Sequence, residues 1–571
     1  MMKAKYYDVD KLHDLRELVS RGKRKYGNST AFKELDHIGE IHEYSFWNLN
    51  DDVVAFGTIL LSMGLAGKHI ALVGESSYSY VVSYLAIACG LGVVVPLDKE
   101  LSLDEMALLV QKSDAEVILY SDDLLEDVEE LKQICDLHTT INISNYKNRG
   151  KDPSYPILIC QGKERIQGGD NAYIDLPIDP NEMSSILFTS GTTGSNKGVM
   201  LNHNNILSVL HSAFSMFDFK LVSFSVLPIN HTYEFNLHVL GCIYGGMTLC
   251  FNDSLKHVKE NLLKFRPEMS LMVPMIVESL YKNIWAEAKR TGLEKHLVYG
   301  IWFSNLIRKF GIDRREKFFQ PVLEALGGNL KVIVCGGAPL RADIIKGFES
   351  LGISVYNGYG ITECAPLISS NCTLKSIPGS VGLVIPDCKV RIEDTDADGI
   401  GEIQVQGQNV MLGYYKDEIS TQKTFTEDGW FKTGDLGYLD KKGALYITGR
   451  EKNLIILANG KNVHPEELED YITANLSYVK EVVVYAPISP DGTDVMIIAE
   501  AYIEDEFLRT IGVDEAKKKF KEDVTRINRK LSTYKRIQEV LIRDCEFEKT
   551  CTRKIKRHLI EKEVPVNVKH Y

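Results

Sequence analysis

Residues 185–200 read SILFTSGTTGSNKGVM. Ser190, Thr192 and Thr193 bring hydroxyl donors, Gly191 and Gly194 allow backbone conformations that a side chain forbids, and Lys197 adds a positive point charge. A loop of this make-up, opening at Thr189, can wrap a polyphosphate. It is not the P-loop of kinases and ATPases, which needs Gly directly before its Lys and Ser or Thr directly after; Lys197 lies between Asn196 and Gly198. Two more Gly-rich turns, CGGAPL at 335–340 and NGYGITECAP at 357–366, each follow a short apolar run, KVIV and ISVY. In an open parallel sheet, ligands bind at such carboxyl ends of strands.

With GWFKTGD at 429–435, YITGR at 446–450 and TCTRKIKR at 550–557, these motifs stand in the order of the adenylate-forming superfamily, and the chain resembles it along nearly its whole length. That superfamily holds acyl-CoA synthetases, peptide-synthetase adenylation domains and luciferases. The resemblance implies that Thr189 to Gly194 and Lys197 form the phosphate loop. It implies further that Gly337, Ala338 and Pro339, with Asn357, Gly358, Tyr359 and Gly360, sandwich an adenine, Tyr359 by stacking. Thr362 is then placed at the α-phosphate, and Glu363, with Thr189, on a Mg²⁺ ion, a hard cation that takes oxygen ligands. Asp435 pairs with the ribose hydroxyls, Arg450 is a second ribose and phosphate contact, and Ile447 is an adenine wall. His231 and Tyr233, in INHTYEF, match the mouth of an acyl pocket. Lys452 falls at the family's interdomain hinge, Gly460 to His464 at its thiol channel, and Lys554 at its terminal catalytic lysine, although Arg553 replaces the usual preceding Gly.

The reaction implied is that of an AMP-forming acid-thiol ligase, closest to long-chain fatty acyl-CoA synthetases through GGAPL, PGSVG at 378–382 and the long segment 285–330. A medium or long fatty acid is adenylated by ATP with release of pyrophosphate, and CoA, or the phosphopantetheine of an acyl carrier protein, takes the acyl group. No Asp occurs between Lys220 and Asn252, where peptide-synthetase domains hold an amino group, and this counts against an amino acid substrate. A luciferase-like oxygenase would use the same adenylate. A non-catalytic nucleotide sensor should lack a usable Lys554 or Glu363, and both are present.

The elements that must position these residues follow from apolar periodicity. HIALV at 69–73, a buried helix ending near Cys89, Val93 to Val95, AEVILY at 115–120 and the acidic helix 122–133 alternate strand and helix, which predicts a doubly wound sheet. Residues 145–179 are polar and aperiodic and read as a surface connection. A helix from 203 to 217 and a strand at 224–228 follow, and after about 380 short strands and turns alternate as a β-rich subdomain. Beyond the hinge the sequence predicts a small mobile α/β domain with a helix from Pro465, strands at 481–485 and 495–501, and a basic helix containing KKKFK, a solvated face or a dock for CoA phosphates or an acidic carrier protein. The expected division is an AMP-binding domain over 1–450 and the mobile domain over 451–571.

Composition agrees with this reading. A chain of 571 residues exceeds one core, and 44% hydrophobic with 25% charged residues is ordinary for a soluble globular protein. A net charge of −12 excludes a general nucleic-acid binder, so a polyanion needs a local site. Eleven cysteines without a CxxC pair, and no signal or lipidation motif, point to reduced thiols in a cytoplasm with at most peripheral membrane contact.

Overall fold

The computed structural model describes residues 6–145, 150–190, 196–217, 221–457, 462–487, 496–549 and 554–560. They form two compact units, the first running through residue 389 and taking in 405–431, the second made of 390–404 and the chain from 432 onward.

The first unit is built on two large sheets. In the seven-stranded sheet, Val93–Leu97, His69–Val73, Val117–Tyr120 and Thr139–Asn142 run parallel, joined by helices such as Tyr78–Ala88 and Leu103–Lys112. All eleven residues of Tyr78–Ala88 are buried, so the most membrane-like stretch of the sequence is a core helix. No described helix is long and apolar enough to cross a membrane. At the other edge Met183–Ser190 pairs antiparallel with Asn196–Asn202, which pairs in turn with Gly413–Tyr414. The predicted phosphate loop is thus flanked by two antiparallel strands, and Lys197 stands on the second of them, opposite Thr189 on the first.

In the nine-stranded sheet, Ser354–Gly360, Val332–Cys335, Met269–Met272, Val222–Ser225, Thr248–Phe251 and Thr30–Leu35 are parallel neighbours in that order. Val222–Ser225 replaces the expected strand at 224–228. It and Met269–Met272 carry serines where a buried strand should be apolar; Ser223 and Ser270 are fully buried, and the Ser270 hydroxyl donates to the Phe224 carbonyl at 2.6 Å. Satisfied hydroxyls can sit inside a sheet, but they interrupt the apolar runs by which strands are found.

The largest correction falls in 145–179. This stretch is not only a surface connection: Tyr155–Gln167 is a helix that buries Tyr155, Leu158, Ile159 and Gly162 against the helix Phe46–Ser62. The i, i+3, i+4, i+7 spacing was present, but Ile157 and Cys160, both exposed, stand between the buried positions and blur the helical period.

The second unit carries a four-stranded sheet ordered Cys388–Glu393, Gly401–Gly407, Phe431–Leu439, Leu445–Arg450. A three-stranded sheet, Val479–Tyr485, Ile498–Ile503 and Glu539–Arg543, follows it. The helices Pro465–Asn475 and Val513–Asn528 close the core of the three-stranded sheet around Ile472, Val484 and Phe520.

Helix approach at Gly162 is close enough to test the packing. A Cβ there would lie 2.0 Å from the Ala55 carbonyl oxygen, which is backbone and cannot turn aside. Gly162→Ala should therefore cost roughly 1–3 kcal/mol in urea unfolding. Gly300→Ala, whose Cβ meets only the Phe319 ring at 3.4 Å within the helix Glu294–Arg308, should be neutral or slightly stabilising. Equal effects at both positions would mean that helix propensity rather than contact governs them.

Candidate nucleotide site

The hairpin Met183–Ser190 and Asn196–Asn202 presents Thr189 and Lys197 side by side. Gly191, Thr192, Thr193 and Gly194 lie outside the described residues, and of Ser190 only the backbone is described. The hairpin is held on its open side by residues 408–415. The Asn205 amide donates to the Gln408 and Val410 carbonyls, both at 2.8 Å, and the Tyr415 amide donates to the Gly198 carbonyl at 2.7 Å.

This segment brings Tyr414 between two predicted site residues. The Lys197 ammonium lies 4.5 Å from the centre of the Tyr414 ring, and the Tyr414 hydroxyl donates to Glu363 Oε1 at 2.9 Å. Burial and then the Glu363 carboxylate hold the tyrosine pKa far above its usual value, so the hydroxyl stays a donor. Glu363 sits on the helical turn Thr362–Cys364, which follows Ser354–Gly360 directly. Its carbonyl accepts from the Met411 amide at 2.8 Å. Thr362 Oγ1 lies 3.5 Å from Thr232 Oγ1, so the line from Lys197 through Tyr414, Glu363 and Thr362 reaches the segment carrying His231 and Tyr233. Tyr414 was not singled out from the sequence; in MLGYYKDE it looks like any tyrosine of a turn.

The two Gly-rich segments lie together because their strands are parallel neighbours, with Cys335 opposite Asn357. Gly337 has φ +87°, a conformation that favours glycine. The Asn357 side chain is buried, and among the described residues its amide oxygen has no hydrogen-bond partner. An unpaired buried acceptor is costly unless a ligand donor meets it. Ala338 and Pro339 fall on the turn of the first segment, but Asn357, Gly358, Tyr359 and Gly360 are not a turn: they complete the strand Ser354–Gly360, where Gly358 and Tyr359 pair antiparallel with Ser370 and Ser369, and the chain turns only after Gly360.

Tyr233 begins the π-helical turn Tyr233–Val239, donates to the Val334 carbonyl at 3.0 Å and lies against Gly336, where a Cβ would come within 3.0 Å of its ring. Beneath it Ser223 Oγ, His238 Nε2, His238 Nδ1 and Glu234 Oε1 form a chain with spacings of 2.6 and 3.0 Å. That is the order of a hydrolase triad, but all three residues are buried and no substrate could reach the hydroxyl. The chain ties Val222–Ser225 to the turn after it and so fixes His231 and Tyr233.

In the second unit Asp435 and Arg450 face each other across neighbouring strands, with Arg450 Nε 3.0 Å from Asp435 Oδ1; Ile447 lies opposite Gly437 on the same pair. Lys452 is central to the short turn Glu451–Asn453, whose Asn453 amide donates to Glu466 Oε1 at 2.6 Å. His464 is buried at the head of Pro465–Asn475, where burial lowers its pKa; Gly460 lies outside the described residues.

Lys554 is exposed, next to Ile555, which bridges to Lys549. Three residues on, Arg557 pairs with the buried Glu469, whose Oε1 also accepts from the Val484 amide at 2.6 Å. This pair ties the lysine-bearing segment to the helix Pro465–Asn475. A cavity of about 290 Å³ lies beside it, between Lys452–Ile456, Val483–Ala486 and Arg557.

Burial pushes the Glu469 pKa up to about 7, against the opposing pull of Arg557. A carboxyl whose folded pKa is raised stabilises fully below its unfolded value, near 4.5, and that contribution is lost as pH rises through about 7. The second unit should therefore melt at lower temperature at pH 8 than at pH 5, and Glu469→Gln should flatten that difference. A variant with the wild-type pH dependence would remove Glu469 as its source.

The profile of the AMP-binding enzyme family matches residues 19–415, and that of the AMP-binding enzyme C-terminal domain matches 452–569. The chain is 30% identical over 438 residues to mouse (Mus musculus) long-chain-fatty-acid–CoA ligase 6, a match covering 71% of this chain and 61% of that one. To guinea pig (Cavia porcellus) long-chain-fatty-acid–CoA ligase 1 it is 27% identical over 499 residues, covering 81% and 70%. ATP-bound MatB from Rhodopseudomonas palustris shares the fold at a TM-score of 0.74 and 23% identity, over 95% of this chain and 98% of that one. The chain thus spans about three fifths of the mouse ligase and belongs to the AMP-binding enzyme family.

Proposed function

We propose that the protein is an ATP-dependent acid-thiol ligase that converts a medium or long fatty acid to its CoA thioester, with a 1–450 AMP-binding domain and a 451–571 domain that moves between the two half-reactions. The observation that carries the reading is the line of Lys197, Tyr414, Glu363 and Thr362, which joins the antiparallel hairpin to the turn after the strand Ser354–Gly360, together with an unpaired buried acceptor on Asn357 of that strand. The names of the mammalian relatives favour a long-chain fatty acid as substrate.

In the first half the acid's carboxylate attacks the α-phosphorus of the magnesium nucleotide, and pyrophosphate leaves with the electrons of the bond broken. Two anions must approach, so positive charge and fixed donors are needed where negative charge grows. Lys197 and the phosphate loop hold the departing pyrophosphate, Thr362 contacts the α-phosphate, and Glu363 with Thr189 would hold the magnesium that arrives with ATP and supplies positive charge to the phosphates. Asn357 accepts from the adenine amino group between its own strand and Gly337–Pro339. Asp435 and Arg450 hold the ribose, with Ile447 against the base. His231 and Tyr233 line the acyl pocket, and Lys554 neutralises the reacting carboxylate.

In the second half the thiol attacks the acyl-adenylate carbonyl and AMP leaves. Lys554 would then obstruct the thiol. Rotation about Lys452 removes it and brings Gly460 and His464 toward the thiol path. Pyrophosphate exchange across fatty, aromatic and amino acids, followed by CoA or acyl carrier protein added to the best acid, tests the whole reading. No exchange with any acid would overturn it.

Lys554→Ala should lower pyrophosphate exchange by roughly 10²-fold or more while thioester formation from preformed acyl-adenylate survives; equal losses in both halves would refute this division. Lys452→Pro should do the reverse. Tyr414→Phe keeps the ring under Lys197 but removes the donor to Glu363, and should raise the Mg²⁺ concentration for half-maximal exchange roughly tenfold. An unchanged Mg²⁺ requirement would show that the hydroxyl does not orient the carboxylate.

A further inference from the structure

The helix Glu294–Arg308 lies in the long segment that the nucleotide site leaves unused. One side is conventional: Leu297 and Ser304 are buried, and Ile301 packs on the core that holds Ile344 and Phe348. The opposite side is not. Tyr299, Trp302, Phe303 and Leu306, spaced i, i+3, i+4, i+7, form a second apolar stripe and are 71, 63, 47 and 37% exposed. Phe310 and Ile312, just past the helix, continue it at 76 and 50%. A helix apolar on both faces is ordinarily buried, and a contiguous run of large apolar groups in water marks a surface that something else covers.

Charge indicates what covers it. Between residues 289 and 317 eight lysines and arginines stand against three acids, an excess of five positive charges in a chain whose net charge is −12. Lys295, Arg308, Lys309 and Lys317 are exposed around the stripe. Long basic side chains can lay their stems on apolar surface and keep their heads in water, while Trp, Tyr and Phe bury their rings at the edge of an acyl layer. A helix so composed, with an exposed aromatic stripe and a basic margin, suits the headgroup region of an anionic bilayer. A second copy of this chain docked through the same face would instead oppose two like-charged patches.

We propose that the outer face of Glu294–Arg308 and the turn through Ile312 form a membrane-docking surface for anionic lipid. No described helix is long and apolar enough to cross the bilayer, so this face would rest on its surface, at the phase into which a long-chain acid partitions. Docking does not depend on the reaction assigned above, because vesicle binding is measured without substrate.

The test is cosedimentation of the full-length protein with large unilamellar vesicles of phosphatidylglycerol and phosphatidylcholine in equal amounts, compared with phosphatidylcholine alone. Wild type should sediment with the anionic vesicles and be released by about 0.5 M salt. Trp302→Ser with Phe310→Ser, and separately Lys295→Glu with Lys309→Glu, should each cut the bound fraction about tenfold at unchanged melting temperature. The charge-reversed variant keeps the apolar stripe, so a failure of the first variant to fold would still leave the proposal exposed to the second. Wild type that stays in the supernatant, or variants that bind like wild type, would overturn it. So would a concentration-dependent dimer in sedimentation velocity that the Trp302 and Phe310 changes dissolve, which would make this face a self-contact.

Discussion

The candidate site depends on one hydrogen bond and the ring that makes it. The hydroxyl of Tyr414 donates to Glu363 while the face of its ring carries Lys197, so a single side chain spaces the positive and negative groups of the candidate site. Neither charge neutralises the other directly. A direct Lys–Glu pair would neutralise both charges; a tyrosine between them keeps the ammonium and the carboxylate apart. The tyrosine is in turn fixed by the ladder from residues 408–415 to the hairpin and by the Asn205 amide.

The rest of the first unit serves to bring these short segments to one edge. Parallel strands of the nine-stranded sheet end together, and each is followed by a turn whose residues face the same way: Gly336–Pro339 after Val332–Cys335, and Thr362–Cys364 after Ser354–Gly360. The buried Ser223–His238–Glu234 chain does the same for Val222–Ser225 and the segment of His231 and Tyr233. Polar residues in these strands give up apolar burial, and because every hydroxyl finds a partner the cost is small.

The second unit uses the same economy on a smaller scale. Asp435 and Arg450 are cross-strand neighbours, so one antiparallel register sets their distance. Glu469 reaches across to Arg557, a separation of 88 residues, and joins the helix Pro465–Asn475 to the segment of Lys554. Whatever moves the one moves the other.

Much of this was legible in the sequence because it is local. An apolar run breaking into small residues and glycine is the signature of a strand that ends at a turn, and the order of such breaks, from TSGTTG through NGYGITE to GWFKTGD, marks the architecture and the family in the sequence itself. What needed the tertiary structure was every relation between distant segments. Tyr414 lies 51 residues from Glu363 and, as an unremarkable turn tyrosine, has no sequence signal of its role. The helix Tyr155–Gln167 was hidden because its apolar residues, YPILIC, come as one run without a helical period inside an otherwise polar stretch, and only packing shows that Ile157 points away from the core. The aromatic stripe of Glu294–Arg308 reads in sequence like ordinary core, since periodicity reports that a face is apolar but not which way it points. Only packing decides that, and it turned Leu297 and Ile301 inward and left Trp302 in water.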